Sequence, residues 1–266
     1  MGLSSTPRTM IALGAILILV AVGSAIVALP LLTPPPPPDA EDSITITLLE
    51  NAGVMIETDD LRIYIDPVEL DSSYADLDAD AILVTHPHGD HYQSQTIDML
   101  QKEGTVNVFP ANMSTEVSLH DGIGVVPGDN VQVGTANITA FYMYTFPVDI
   151  YPASHPSEAN WTSYIIELDG FTIFHAGDSK NIDEYEQLAG QIDVALLPLG
   201  PGCQTMADFE IVLALETINP GCFVPIHYVV GADQTWIAEY DDMVADRTTD
   251  CNIMSLAYFE SHTFQI

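Results

Sequence analysis

The chain has 266 residues, 47% of them hydrophobic, and carries 38 Asp and Glu against 5 Lys and Arg, a formal net charge of −33. That length allows one large domain or two small ones, and the charge describes a solvated acidic surface that repels itself unless screened. It excludes a nucleic-acid partner, because phosphate binding needs a stripe of Lys or Arg, and after Arg8 only Arg62, Lys102, Lys180 and Arg247 remain, scattered along the chain.

Residues 1–9 form a short tail. Met10 to Leu29 contains no charged residue and is dominated by Ala, Ile, Leu and Val. At 1.5 Å per residue this is just long enough to cross a hydrocarbon core of about 30 Å, so residues 10–32 are expected to be a transmembrane anchor. A signal peptide is the competing reading, although its apolar region usually runs about 7–15 residues. Arg8 precedes the segment and Asp39, Glu41 and Asp42 follow it, which by the positive-inside rule places the rest of the chain outside. The expectation is a membrane-anchored protein with an extracellular domain, the alternative being secretion after signal cleavage. Residues 33–42 hold the run Pro34 to Pro38, a stiff polyproline spacer. Residues 43–266 are expected to be the folded domain.

Within it, Ser43 to Leu49 alternates apolar and polar residues, and Val54 to Ile56 and Leu61 to Ile65 follow as strands with Asp59-Asp60 as the turn. Ala81 to Val84 reads as a buried strand and Gln93 to Lys102 as a helix. Thr105 to Phe109, Val131 to Tyr144, Ser163 to Glu167, Phe171 to Phe174 and Val194 to Leu197 read as strands. Thr205 with Asp208 has the spacing of a capping box, and Met206, Phe209, Val212 and Leu213 give the next helix an apolar stripe. Phe223 to Ile226 is a strand, Gln234 to Val244 a helix and Thr263 to Ile266 a last strand. Strands first, then strands alternating with helices, predict an α/β protein with at least two sheets. Cys203, Cys222 and Cys251 make no CxxC pair, which argues against a thiolate zinc site; in an oxidising compartment they allow one disulfide and an odd thiol.

The chemistry concentrates at His86-Pro87-His88-Gly89-Asp90-His91, directly after a buried strand. Imidazole and carboxylate suit zinc and similar borderline cations, and so close a spacing needs a turn from which the side chains fan toward neighbouring ions. With 8 histidines in the whole chain, a chance cluster of surface residues is the weaker account.

This run resembles the HxHxDH signature of the metallo-β-lactamase superfamily. His155 in Ala153-Ser154-His155-Pro156, Asp178 in Ala176-Gly177-Asp178-Ser179, and His227 in Pro225-Ile226-His227-Tyr228 resemble its later motifs in order. The opening, Ile44 through Ile65-Asp66-Pro67, and the stretch Leu197-Pro198-Leu199-Gly200 resemble the small single-domain hydrolases of the superfamily, which include ascorbate-6-phosphate lactonase and relatives of the N-acyl-phosphatidylethanolamine phospholipase. The resemblance spans nearly all of Ile44 to Ile266. It implies a four-layer αβ/βα sandwich holding two divalent metal ions, zinc foremost, with manganese or iron as alternatives. It implies that His86, His88 and His155 bind one ion and Asp90, His91 and His227 the other, with Asp178 bridging. A water activated between the two ions would attack an ester, lactone, amide or phosphodiester of a small molecule or lipid, and Asp90 would orient it or take its proton. Asn51 stands where many members have histidine and Ser179 where threonine is common, departures that bear on the substrate.

His175 reads as a packing or supporting residue, His120 and His262 as surface residues, and Tyr228 as a candidate to reach substrate. A nuclease of the same superfamily is disfavoured by the acidic surface. A flavin-linked di-iron protein is disfavoured by His88, where those proteins carry glutamate. A non-enzymatic metal-binding domain is disfavoured by the complete ligand set. The oligomeric state is not legible.

Overall fold

The structure is a computed structural model that describes residues 43–200 and 202–266. In chain order the elements are β1 (Ser43–Leu48), β2 (Val54–Glu57), β3 (Arg62–Ile65), β4 (Ala79–Leu83), α1 (Ser94–Leu100), β5 (Gln101–Pro110), α2 (Ser114–Leu119), β6 (Ile123–Val125), β7 (Asn130–Val133), β8 (Ala136–Tyr142) and β9 (Thr162–Leu168). They continue with β10 (Phe171–His175), β11 (Val194–Pro198), α3 (Asp208–Ile218), β12 (Cys222–Ile226), α4 (Ala232–Arg247), β13 (Asn252–Ile253) and β14 (Ser261–Gln265).

The strands make two seven-stranded mixed sheets, ordered β14-β1-β2-β3-β4-β5-β6 and β13-β12-β11-β10-β9-β8-β7. In the first sheet β14, β1, β2 and β3 pair antiparallel and β3 through β6 parallel. In the second, β7 through β10 pair antiparallel and β10 through β13 parallel.

The period-two pattern of the strands decides what each face meets. Val54 and Ile56 of β2, Ile63 and Ile65 of β3, and Ala81 and Leu83 of β4 join one core cluster with Ile138, Ile166, Ile173 and Phe174 of the second sheet. Met55, Tyr64 and Ile82 point the other way and pack with Ile97 and Leu100 of α1. In β11 and β12 both faces are buried, and Val194 to Leu197 join a cluster that includes Ile211, Leu215 and Ile218 of α3. This explains why those strands read as continuous apolar runs. Fully burying such a side chain is worth about 1.5–3 kcal/mol.

Several expectations are corrected. The helix expected over Gln93 to Lys102 stops at Leu100, because Gln101 is extended (ψ 141) and opens β5. The single strand expected over Val131 to Tyr144 is a hairpin: Val133 pairs with Ala136 across Gly134, whose φ of +55 makes the turn. Thr205 does not cap α3; its hydroxyl bonds the Gly200 and Gly202 carbonyls, and Glu210 caps the Ala207 N–H at 3.2 Å. The buried stripe of α3 is Ile211, Val212, Ala214, Leu215 and Ile218, leaving Phe209 and Leu213 partly exposed. The three cysteines are free, with no disulfide among the described residues.

The membrane-anchored, extracellular placement is also corrected. Among the described residues no helix is long and apolar enough to cross a membrane. The segment 10–32 on which that expectation rested lies outside the described residues, as do the tail 1–9 and the linker 33–42.

Candidate metal centre

Six of the seven candidate ligands follow the carboxyl ends of parallel strands, where open α/β sheets present their functional groups. The chain leaves β4 at Thr85-His86, leaves β10 toward Asp178, and leaves β12 at His227. His155 arrives on the long β8–β9 connection. The exit from β4 is pinned from the second sheet: the Tyr164 hydroxyl donates to the Val84 carbonyl at 2.8 Å, and Thr162 N–H donates to the Thr85 carbonyl at 3.1 Å. His227 has φ +53 and Asn51 φ +57, left-handed conformations that mark a shaped site when a non-glycine residue holds them. The His227 N–H donates to the Asn51 carbonyl at 2.9 Å and so ties the two together.

All seven candidate residues converge. His86, His88 and His155 form one group able to hold an ion, Asp90, His91 and His227 another, and His86, His91 and Asp178 a third that joins them. In the first group His86 Nε2 lies 3.1 Å from His88 Nδ1 and 3.2 Å from His155 Nε2. Asp178 stands between the groups. Its Oδ2 is 3.5 Å from His155 Nε2 and 4.0 Å from His86 Nε2, while its Oδ1 is 3.2 Å from His91 Nε2 and 3.4 Å from His227 Nε2. Asp90 Oδ2 is 3.6 Å from His227 Nε2 and 3.9 Å from His91 Nε2.

The rings are aimed by hydrogen bonds on their far nitrogens. Asp66 accepts from His91 Nδ1–H at 2.8 Å, from Thr85 N–H at 2.7 Å and from the Thr85 hydroxyl at 2.6 Å. Thr85 Oγ1 in turn accepts from His86 Nδ1–H at 2.9 Å. The Ser154 hydroxyl donates to the Cys203 carbonyl, so its Oγ accepts from His155 Nδ1–H at 2.9 Å. Each bond fixes a tautomer whose Nε2 lone pair faces the centre.

The donor set fits a divalent cation. His91 Nε2, His227 Nε2 and both oxygens of Asp178 are buried without a hydrogen-bond partner, which is costly unless a cation meets them. A tetrahedral ion with metal–nitrogen bonds of about 2.0–2.1 Å sets nitrogens about 3.3 Å apart, close to the spacing in the first group. Electrostatics agree. Burial, reinforced by the neighbouring His91, holds His86 well below the ordinary imidazole range, and burial brings His155 down to about 4, so both rings are neutral donors near pH 7. Burial works against charge on His91, but the carboxylates of Asp178 and Asp66 outweigh it and raise its pKa. The position therefore attracts positive charge.

Sequence reasoning missed the supporting residues. Asp66 was visible only as the end of the Ile65-Asp66-Pro67 motif. Trp161 carried no signal, yet its ring centroid lies 5.4 Å from those of His86 and His88 and 5.5 Å from that of His155. His120 is buried rather than on the surface, stacked on Phe109 and 3.2 Å from the Tyr92 hydroxyl, away from the centre. His175 is also buried, its Nε2–H donating to the Ala52 carbonyl at 2.8 Å, in keeping with a packing role.

Residues 45–227 match the beta-lactamase superfamily domain Lactamase_B_3. The chain belongs to that family. It is 33% identical over 199 residues to a UPF0173 metal-dependent hydrolase of Thermococcus kodakarensis, covering 70% of this chain and 84% of the relative. It is 31% identical over 190 residues to a UPF0173 metal-dependent hydrolase of Bacillus thuringiensis, covering 66% and 81%. Among solved structures, the metallo hydrolase Igni18 of Ignicoccus hospitalis superposes with a TM-score of 0.67 at 21% identity, over 84% of this chain and 99% of that one. The metallo-beta-lactamase fold protein YhfI of Bacillus subtilis superposes with a TM-score of 0.64 at 14% identity, over 84% and 100%. The fold is thus of the metallo-β-lactamase type, two mixed sheets with helices, and the protein is a metal-dependent hydrolase of that superfamily.

Proposed function

We propose that this hydrolase works with two divalent ions, zinc foremost and manganese or iron as alternatives, on an ester, lactone, amide or phosphodiester of a small molecule or lipid. Asp178 carries the reading: its two oxygens face two separate groups of donors and neither has a hydrogen-bond partner. His86, His88 and His155 would hold one ion, and Asp90, His91 and His227 the other, with Asp178 shared. The absence of thiolate from these groups suits zinc bound by nitrogen and oxygen.

When bound, such a pair supplies Lewis acidity, making hydroxide available near neutral pH and stabilising charge that develops on the attacked group. The chain's own part is orientation and proton handling. Asp90 is half exposed, and Asn51 Nδ2–H donates to its carbonyl at 3.0 Å and to its Oδ2 at 3.4 Å. Its carboxyl is held far below the usual range, chiefly by the His227 ring, whose Nε2 lies 3.6 Å away, so Asp90 stays ionised and can align an attacking water and pass on its proton. The four-layer αβ/βα arrangement, and residues 43–266 as the folded unit, are supported by the core shared between the sheets and the second cluster under α1.

A small-molecule or lipid substrate is favoured over nucleic acid because Arg62, Lys102, Lys180 and Arg247 are each paired to a carboxylate. The test is hydrolysis of ester, lactone and phosphodiester substrates by the full chain loaded with zinc or manganese. Turnover that vanishes on chelation and returns with metal is expected; turnover that survives chelation would contradict the reading. Retained metal with no turnover would favour a non-enzymatic metal-binding domain.

A further inference from the structure

A cavity of about 540 Å³ opens beside the metal centre, with His227 and Asn51 in its wall. Its size is that of a small-molecule site. Most of the lining is apolar or aromatic: Leu199, Tyr228, Val229, Trp236 and Tyr240. The aromatic wall is built rather than incidental. The Trp236 indole N–H donates to the Asp208 carbonyl at 2.9 Å, its ring stacks on Tyr240 with centroids 5.3 Å apart, and the Tyr228 hydroxyl donates to the Leu256 carbonyl at 2.5 Å. These bonds occupy the Trp236 and Tyr228 donors and leave carbon faces toward the cavity.

The charged groups in the lining are all of one sign apart from the histidine. Asp208 and Glu239 contribute carboxylates, and no lysine or arginine is among the described lining residues. Lys180, two positions after Asp178, is neutralised by Glu210 at 2.7 Å. An anionic group lodged in this cavity, away from the metal centre, would face two like-charged carboxylates.

We propose that this cavity receives an uncharged apolar part of the substrate, so that the substrate class is a neutral ester, lactone or amide bearing an aryl or alkyl group, and carboxylated or phosphorylated analogues are rejected. The inference rests on the hydrolytic reading of the adjacent centre. It also gives the departure at Asn51 a setting, since that residue lies at the seam between cavity and centre.

The test uses the full chain loaded with zinc and two esters with the same leaving group, para-nitrophenyl butyrate and para-nitrophenyl hemisuccinate. These differ in a terminal carboxylate. Assays run in 1 M KCl, where a Debye length of about 3 Å screens the acidic exterior. The butyrate ester is expected to keep at least about a tenfold advantage in kcat/KM, and Glu239→Lys on the cavity wall to narrow it by raising turnover of the hemisuccinate. In parallel, calorimetry measures binding of the neutral ketone benzylacetone, which Tyr240→Ala is expected to weaken roughly two- to tenfold. Equal or better turnover of the hemisuccinate, or benzylacetone binding indifferent to Tyr240→Ala, overturns the proposal while leaving the hydrolytic reading intact. Benzylacetone binding that depends on Tyr240, with no turnover of either ester, supports the cavity assignment and counts against the hydrolytic reading instead.

Discussion

Asp66 Oδ2 lies 2.8 Å from His91 Nδ1, with both side chains fully buried. The same carboxylate accepts from the Thr85 hydroxyl, which holds His86, so one buried acid aims a ring from each donor group. Asp66→Asn keeps the shape but presents an amide that cannot accept from all of these donors. Outer partners of this kind typically cost 10–100-fold in metal affinity when mutated. We expect zinc affinity, measured by competition titration, to fall by about that factor with the far-ultraviolet circular dichroism unchanged; unaltered affinity would remove Asp66 from the account.

The fold and the donors were legible in the sequence to different depths. The strands around His86 could be read because each is a short apolar run, and burial on both faces preserves that signal in β11 and β12. All seven candidate donors could be named because they lie in short local motifs, six of them following strand ends and His155 on the β8–β9 connection. Asp66, Thr85, Ser154 and Trp161 act across the fold, and no local spacing announces a contact between Asp66 and His91 or between Trp161 and His88. The β7–β8 hairpin was missed because Val131 to Tyr144 is apolar on both sides of one glycine. The stripe on α3 was misplaced by reading Met206 as helical, when it precedes the helix and is buried there.

Gly177 sits beside Asp178 with φ +55, and a Cβ there would lie 2.6 Å from Met143 Sδ and 3.1 Å from Thr85 Cβ. Met143 can swing away, but Thr85 is fixed by Asp66. Gly177→Ala should therefore push on the residue that aims His86 as well as strain the backbone. The expected result is at least about a tenfold loss of kcat and a lower melting temperature; a variant with normal kcat would show that this turn tolerates a side chain.

Trp161 covers the first group of histidines at ring distances of 5.4 to 5.5 Å, whereas Trp236 lies in the wall of the neighbouring cavity. Loading with cobalt or copper should quench tryptophan emission, and Trp161→Phe should remove most of that quenching. Quenching that persists undiminished in Trp161→Phe would mean that the metal does not sit among His86, His88 and His155.

Alkaline pH should destabilise the domain. Burial pushes the Cys222 thiol up to about 12 and raises the buried phenols of Tyr64, Tyr164 and Tyr185 above their ordinary value of 10.0. These groups stay neutral in the folded chain while the unfolded chain ionises from about pH 9 upward, so stability is full below that pH and declines as pH rises toward 12. Urea midpoints at pH 8 and pH 10.5 measure the effect. A midpoint that holds or rises at the higher pH would contradict it.

The most direct test of the account is metal analysis of the purified full chain beside Asp178→Ala, with hydrolysis followed on the same samples. A carboxylate shared between two donor groups predicts about two equivalents of divalent metal in the parent chain, no more than one in Asp178→Ala, and loss of metal-dependent turnover. Two equivalents bound and turnover retained in Asp178→Ala would contradict it.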